Sequence, residues 1–227
     1  VYDISSTQKE IQIIGTNYKK ETDFDIYIDN VLINYSKQYK FSSTGRHNIS
    51  FIIYDDNISM SKMFQGIFSL ISIELFSEKN NIFITSIDEA FDGCQHLTSF
   101  NLNGFNTNKI KSYYKLFHMT GIKKINMTLF EINDAEDFSY MFSNSLIEEI
   151  ELKNINTEKL TNMSNMFSGC TSLNKITFDN FDTRKVIDMS SLFQLCVSLT
   201  SLDISNLNTN NVENMSHMFE GAISLSY

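Results

Sequence analysis

Seven phenylalanines recur along the chain at a nearly fixed step: Phe64, Phe91, Phe117, Phe142, Phe167, Phe193 and Phe219. Successive steps are 27, 26, 25, 25, 26 and 26 residues. A large apolar residue returning at this period marks a solenoid, in which each coil buries its side chains against the next. No other feature restricts the possible folds as strongly. It fixes a class of architecture and says far less about activity, because function resides in sites placed on a fold.

The stretch from Phe167 to Phe193 shows the unit. Ile176 and Phe178 alternate as one face of a strand, with Leu173 at its entry. The same spacing returns in Leu70, Ile73, Leu75; Leu97, Phe100, Leu102; Ile122, Ile125, Met127; Ile147, Ile150, Leu152; and Leu199, Leu202, Ile204. A short polar turn follows at Gly104–Thr107, Asn154–Thr157, Asn180–Thr183 and Asn206–Thr209, where threonine is suited to cap a helix. Leu160, Met163, Phe167 and then Val186, Met189, Phe193 and Val212, Met215, Phe219 fall at i, i+3 and i+7, the spacing of one helical stripe. Gly66, Gly93, Gly169 and Gly221 follow the phenylalanine by two residues, where a left-handed C-cap belongs; Asn144 takes that slot once, while Met119 and Leu195 do not fit it. The expectation is an α/β solenoid: a leucine-rich-repeat-like parallel sheet with helices on the opposite side.

The repeat wording carries a resemblance. Asn156-Thr157-Glu158-Lys159-Leu160-Thr161-Asn162-Met163-Ser164-Asn165-Met166-Phe167-Ser168-Gly169-Cys170 and Asn206 to Phe219 are similar to the 26-residue surface-protein repeat of the BspA-like leucine-rich-repeat family (PARCEL type). The resemblance covers roughly residues 62–227. Ile132-Asn133-Asp134-Ala135 departs from it by lacking the Asn-Thr turn. It implies a cell-surface or extracellular, non-enzymatic protein working through protein–protein interaction, adhesion or structural assembly, and it transfers no catalytic or binding residues. An intracellular or cilium-associated scaffold in an AT-rich protist is the alternative; a hydrolase with an unrecognised site is a third reading.

Residues 1–57 read differently. Phe24, Ile26 and Ile28 alternate, Asp29-Asn30 makes a tight turn, and Val31–Ile33 returns as a partner strand. Ile11–Ile14, Tyr39–Phe41 and Ile49–Tyr54 complete a small antiparallel β domain, which resembles the short β segments that precede such repeats and whose expected role is to cover the first coil. Residues 58–227 then form about six complete repeats of 25–27 residues, with a seventh cut off at Leu225-Ser226-Tyr227. That points to a longer protein, or to a head-to-tail assembly closing the open end.

A net charge of −9, from 18 basic and 27 acidic residues, sets the chain against nucleic acid as a partner. No apolar run is long enough for a membrane span. Pro and Trp are missing, and the wealth of Asn, Ile, Lys, Phe and Tyr matches AT-rich coding. Cys94, Cys170 and Cys196 share a packing slot three residues after the phenylalanine and read as buried thiols, with a Cys170–Cys196 bridge conceivable but awkward. His47, His96, His118 and His217 are dispersed, and Asp23, Asp25, Asp29, Asp55 and Asp56 lack a calcium-loop pattern, so no metal or cofactor site is assigned. Asn34, Asn48 and Asn57 are candidate N-glycosylation sites; the sequons at Asn162 and Asn214 belong to the repeat wording. The candidate interaction face is the outer side of the solenoid strands: Ser99, Asn101, Asn103; Lys124, Asn126, Thr128; Glu149, Glu151, Lys153; Lys175, Thr177, Asp179; and Ser201, Asp203, Ser205.

Overall fold

The computed structural model describes residues 1–227 apart from 6, 8–9, 21–23, 75–81, 103–104, 154 and 227. Its first part is antiparallel. Strands β1 (Tyr2–Ile4), β2 (Ile11–Gln12), β3 (Phe24–Ile28), β4 (Val31–Ile33), β5 (Gln38–Tyr39), β6 (Gly45–His47) and β7 (Ile49–Ile53) pair as β1-β6, β2-β5 and β4-β3-β7. The β3–β4 hairpin pairs Ile28 with Val31 across Asp29-Asn30, both at positive φ (48° and 67°), the conformation a two-residue hairpin turn needs. Phe24, Ile26 and Ile28 turn inward and are buried, so here period-two alternation was a sound guide.

Beyond these strands the chain winds. Strands β8 (Asn57–Ser59), β10 (Ile82–Ser86) and β12 (Phe105–Asn106) stack in parallel on one side. On another side β9 (Ser72–Glu74) pairs with β11 (Ser99–Asn101), and β13 (Lys124–Asn126), β14 (Glu149–Lys153) and β15 (Lys175–Asp179) form a second parallel ladder. Ile150 meets Ile176 and Leu152 meets Phe178, so equivalent residues lie one coil apart in register. The β8-β10-β12 ladder was not foreseen; the expected strand at Leu202–Ile204 is not formed, and Leu75 and Gly104 lie outside the described residues.

The expected helices are absent among the described residues, whose one helical element is a 3-10 turn at Met127–Leu129. The fold is a β-solenoid, which overturns the leucine-rich-repeat-like arrangement of helices facing a sheet. The physical reason is in the backbone. Each coil holds two left-handed residues, one two positions before the phenylalanine and one two after: Lys62 and Gly66, Glu89 and Gly93, Lys115 and Met119, Tyr140 and Asn144, Asn165 and Gly169, Ser191 and Leu195, His217 and Gly221. A left-handed residue every four positions breaks an α-helix and makes a run of turns. Met119 and Leu195, neither of a residue type expected in the slot, adopt it with φ of 54° and 58°. This four-residue unit turns Met163 and Phe167 inward, and likewise Met189 and Phe193, so its apolar spacing mimics that of a helix.

Hydrogen bonding follows from the same geometry. The N–H groups of Asn165, Phe167 and Gly169 donate to the carbonyls of Ser190, Leu192 and Gln194 in the next coil at 2.8, 3.1 and 2.7 Å. Between them, Met166, Ser168 and Cys170 close local turns onto Met163, Asn165 and Phe167 at 3.2, 3.1 and 3.0 Å. A helix would satisfy every donor locally; here alternate donors are spent on the neighbour. The repeat threonines, expected as helix caps, do related work. Thr157 donates its hydroxyl to the Asp182 carbonyl (2.9 Å) and accepts the Asp182 N–H (2.8 Å), and Thr183 does the same with Asn208.

The repeat phenylalanines form one column. From Phe64 to Phe219 successive rings lie 5.4–5.9 Å apart and within 15° of parallel. Phe64 to Phe193 are fully buried, whereas Phe219, with a neighbour on one side, is 41% exposed. At the opposite end Phe51 of β7 packs edge-on against Phe64 (5.6 Å, 75°). Gly15 N–H donates to Met63 O (2.7 Å) and Asp3 N–H to Ser69 O (2.8 Å), so the N-terminal strands lie directly on the first coil.

Candidate interaction surface

The outward positions of β13, β14 and β15 come together as one face. Register places Lys124, Glu149 and Lys175 in one row, Asn126, Glu151 and Thr177 in the next, and Lys153 beside Asp179 in a third. Alternation along each strand is the cause: Ile150, Leu152, Ile176 and Phe178 point into the core, which leaves their neighbours outside. Ser99 and Asn101 stand on β11, paired with Ser72 and Glu74 of β9, in a separate sheet. Ser201, Asp203 and Ser205 are exposed but off any strand, Thr128 sits on the 3-10 turn, and Asn103 lies outside the described residues.

Charges on this face are largely matched. Lys124 Nζ lies 3.3 Å from Glu149 Oε2, and Lys153 Nζ 2.5 Å from Glu151 Oε2. The hydrogen bond to Lys153 draws the Glu151 carboxyl below its ordinary range and raises the Lys153 ammonium in turn. Asp203 is lowered by the Ser205 hydroxyl. These groups are in water, so each pair contributes little to stability. Asn126 spends its side-chain oxygen on Thr128, accepting from its N–H (3.0 Å) and hydroxyl (2.8 Å). The face is mixed in sign and without aromatic side chains at its named positions, a surface for specific polar contacts and not for a deep apolar grip.

Other sequence candidates settle as structural parts. Cys94, Cys170 and Cys196 are free and buried; their thiols donate to the carbonyls of Phe64, Phe142 and Phe167 at 2.9, 3.0 and 3.2 Å. Burial pushes Cys94 and Cys196 up to about 12 and Cys170 upward as well, so none presents a thiolate. Asn162 and Asn214, within sequons, accept the N–H of Ser164 and Ser216 two residues on, as Asp137 and Asp188 do for Ser139 and Ser190. Asn34, Asn48 and Asn57 are exposed. Asp25 accepts the Tyr54 hydroxyl and Asp29 binds His47; Asp23 lies outside the described residues. Among the described residues no group of three His, Cys, Asp or Glu is placed to hold a metal, and no helix is long and apolar enough to cross a membrane.

Sequence reasoning missed a cleft. A cavity of about 730 Å³ runs between β7 and the first coils, lined by all of Asn48–Tyr54 on one wall and by Leu70, Ile73, Glu74, Ile82 and Phe105 on the other. The uncharged run Ile49–Tyr54 was its one sequence signal.

Residues 43–149 and 145–227 match a family model described as Mycoplasma protein of unknown function, DUF285. No curated protein and no solved structure matches the chain.

Proposed function

From the premise that the chain belongs to the DUF285 family, we propose that it is a non-enzymatic, cell-surface or extracellular repeat protein that binds other proteins, in adhesion or in structural assembly. The observation carrying this reading is the in-register polar face of β13, β14 and β15, where Lys124, Glu149, Glu151, Lys153, Lys175 and Asp179 are held in fixed rows by a continuous buried core. A rigid array of this kind recognises complementary charge at fixed spacing. The resemblance of the repeat wording to BspA-like surface proteins supports the location, and exposed Asn34, Asn48 and Asn57 are then the positions for glycans. In a secretory host, their modification would accompany export.

Staining of intact against permeabilised source cells with an antibody to this chain tests the location; signal only after permeabilisation defeats it. Crosslinking of the purified chain to intact cells tests the face, with Lys124→Glu/Lys175→Glu expected to lose the crosslinked product. The second reading, an intracellular scaffold, is favoured by one observation: three free buried thiols suit a reducing compartment. A head-to-tail filament has one specific obstacle, since the N-terminal strands already occupy the first coil's open side. Assembly through the solenoid ends therefore requires contact with those strands themselves.

A further inference from the structure

We propose that the cleft between β7 and the first coils binds an extended polypeptide segment of about five residues, which joins β7 as an added strand. The register of the β3–β7 pair decides which groups are available. Asp29 N–H donates to Asn48 O (2.9 Å), which makes Tyr27–Ser50 and Asp25–Ile52 the hydrogen-bonded pairs. The N–H and C=O groups of Ile49, Phe51 and Ile53 therefore point away from β3. Strand β7 ends its sheet, so among the described residues no strand pairs with these groups.

Free edges are normally blocked by charge, proline or a bulge. Strand β7 reads Ile-Ser-Phe-Ile-Ile, with none of these, and its register with β3 is unbroken. The cleft lies along this edge for its whole length and has the size of a ligand site. Its far wall is an apolar floor in which Leu70, Ile73 and Ile82 are buried and Phe105 is half-buried, while Ile52 (45% exposed) and Tyr54 (51%) flank the other face. Glu74 is the one charged side chain among the described lining residues, on a chain of net charge −9. The fitting occupant is a short extended segment with β-branched residues at alternate positions and a lysine or arginine at the end nearest Glu74.

The test uses a fluorescein-labelled Lys-Val-Thr-Val-Thr-Val peptide, with a counterpart N-methylated at alternate residues. Anisotropy is expected to show saturable binding of the first and at least about fivefold weaker binding of the second, from lost backbone hydrogen bonds. Amide exchange gives the sharper readout: the peptide should slow Ile49, Phe51 and Ile53 and leave Ser50 and Ile52, already bonded to β3, unchanged. Ile53→Pro removes one outward donor and should weaken binding about fivefold; Ile52→Lys adds an edge charge and should weaken it too, while Lys185→Gln, at an exposed position on a later coil, should not. Absence of saturable binding overturns the proposal, as does equal affinity for the methylated peptide. Protection of the three amides without peptide, rising with protein concentration, would replace it with self-pairing. Should Ile53→Pro fail to fold, the peptide pair and the exchange pattern still decide.

Discussion

In the N-terminal strands Ile28 meets Val31 across two residues, and β3 finds its other partner, β7, in the same stretch of chain. In the coils, by contrast, Phe167 N–H bonds to Leu192 O, one whole winding away, and its ring stacks between Phe142 and Phe193. The first region pairs its strands with one another, through a hairpin and short antiparallel sheets. The second exports alternate donors to the following coil, so no coil is complete without its neighbour and stability accrues at the interfaces. The difference teaches why an aromatic residue can be so uniform in one region and not in the other. A column needs the same shape at every level, while an antiparallel sheet needs only apolar residues on one face.

The largest expected effect tests the column. Phe167→Ala removes a ring packed on both sides in a fully buried position and should cost about 3–5 kcal/mol. Phe219→Ala removes a ring with one stacking partner and partial exposure, and should cost about 1 kcal/mol, in line with its smaller buried area. Urea denaturation of the two variants measures the gap; equal costs would mean that the coils do not act as a stacked series. Next comes the joint between the two regions. A Cβ on Gly15 would collide with the Lys62 carbonyl oxygen, so Gly15→Ala must push the N-terminal strands off the first coil. A loss of about 1–3 kcal/mol is expected, together with faster amide exchange at Gly15, whose N–H bonds to Met63. Unchanged exchange there would show that the strands do not depend on this close approach.

The same contrast explains what the sequence made legible. The hairpin at Asp29-Asn30 and the inward set Phe24, Ile26, Ile28 could be read directly, because both pattern and partner lie within a few residues. The period, the phenylalanine column and the polar face of β13–β15 were readable because each repeat restates them. The turn face was not. Met163 and Phe167 stand four apart whether the chain is a helix or a run of four-residue turns, and spacing cannot separate the two. The discriminating signal was the second left-handed site, two residues before the phenylalanine, but its occupants Lys62, Glu89, Lys115, Tyr140, Asn165, Ser191 and His217 share no chemistry. The glycines two residues after it were visible for the opposite reason. The β7 cleft was hidden because its walls come from β7 and from coils later in the chain.

A third prediction asks whether side chains as well as backbone bind coil to coil. Thr157→Val keeps the shape and removes the hydroxyl that both donates to the Asp182 carbonyl and accepts the Asp182 N–H. One donor is left unpaired beside a buried position, at a cost of about 1–2 kcal/mol. Ile132 occupies the equivalent place one coil earlier and is buried without such a clamp. Ile132→Val, which touches packing alone, should therefore cost about 0.5–1.5 kcal/mol through a lost methylene. If Thr157→Val proved neutral in urea denaturation, the backbone ladder would be the whole of the coil-to-coil bonding.

The smallest expected effect belongs to the N-terminal region and depends on pH. His47 Nδ1 faces Asp29 Oδ2 at 2.6 Å and its Nε2 faces the Ser43 carbonyl at 2.9 Å, so both ring nitrogens meet acceptors and the imidazolium form suits the site. The hydrogen bond to Asp29 raises His47 above its ordinary 6.5, against the opposing effect of burial, and the same bond lowers Asp29 below 3.8. The histidine's contribution is thus complete below 6.5 and is lost as pH rises through its higher folded value. Asp29's contribution is present above 3.8 and is lost as pH falls through its lower folded value. Because Asp29 is half exposed and its other oxygen holds the Asn48 N–H, the lock steadies the β3–β4 turn against the start of β7 more than it stabilises the whole chain. Between pH 6.5 and 8.5, amide exchange at Asn48 and Asp29 should quicken in the native protein while exchange at Phe167 stays flat after correction for intrinsic rates. His47→Gln should remove the pH dependence at Asn48; its persistence in that variant would assign the titration to another group.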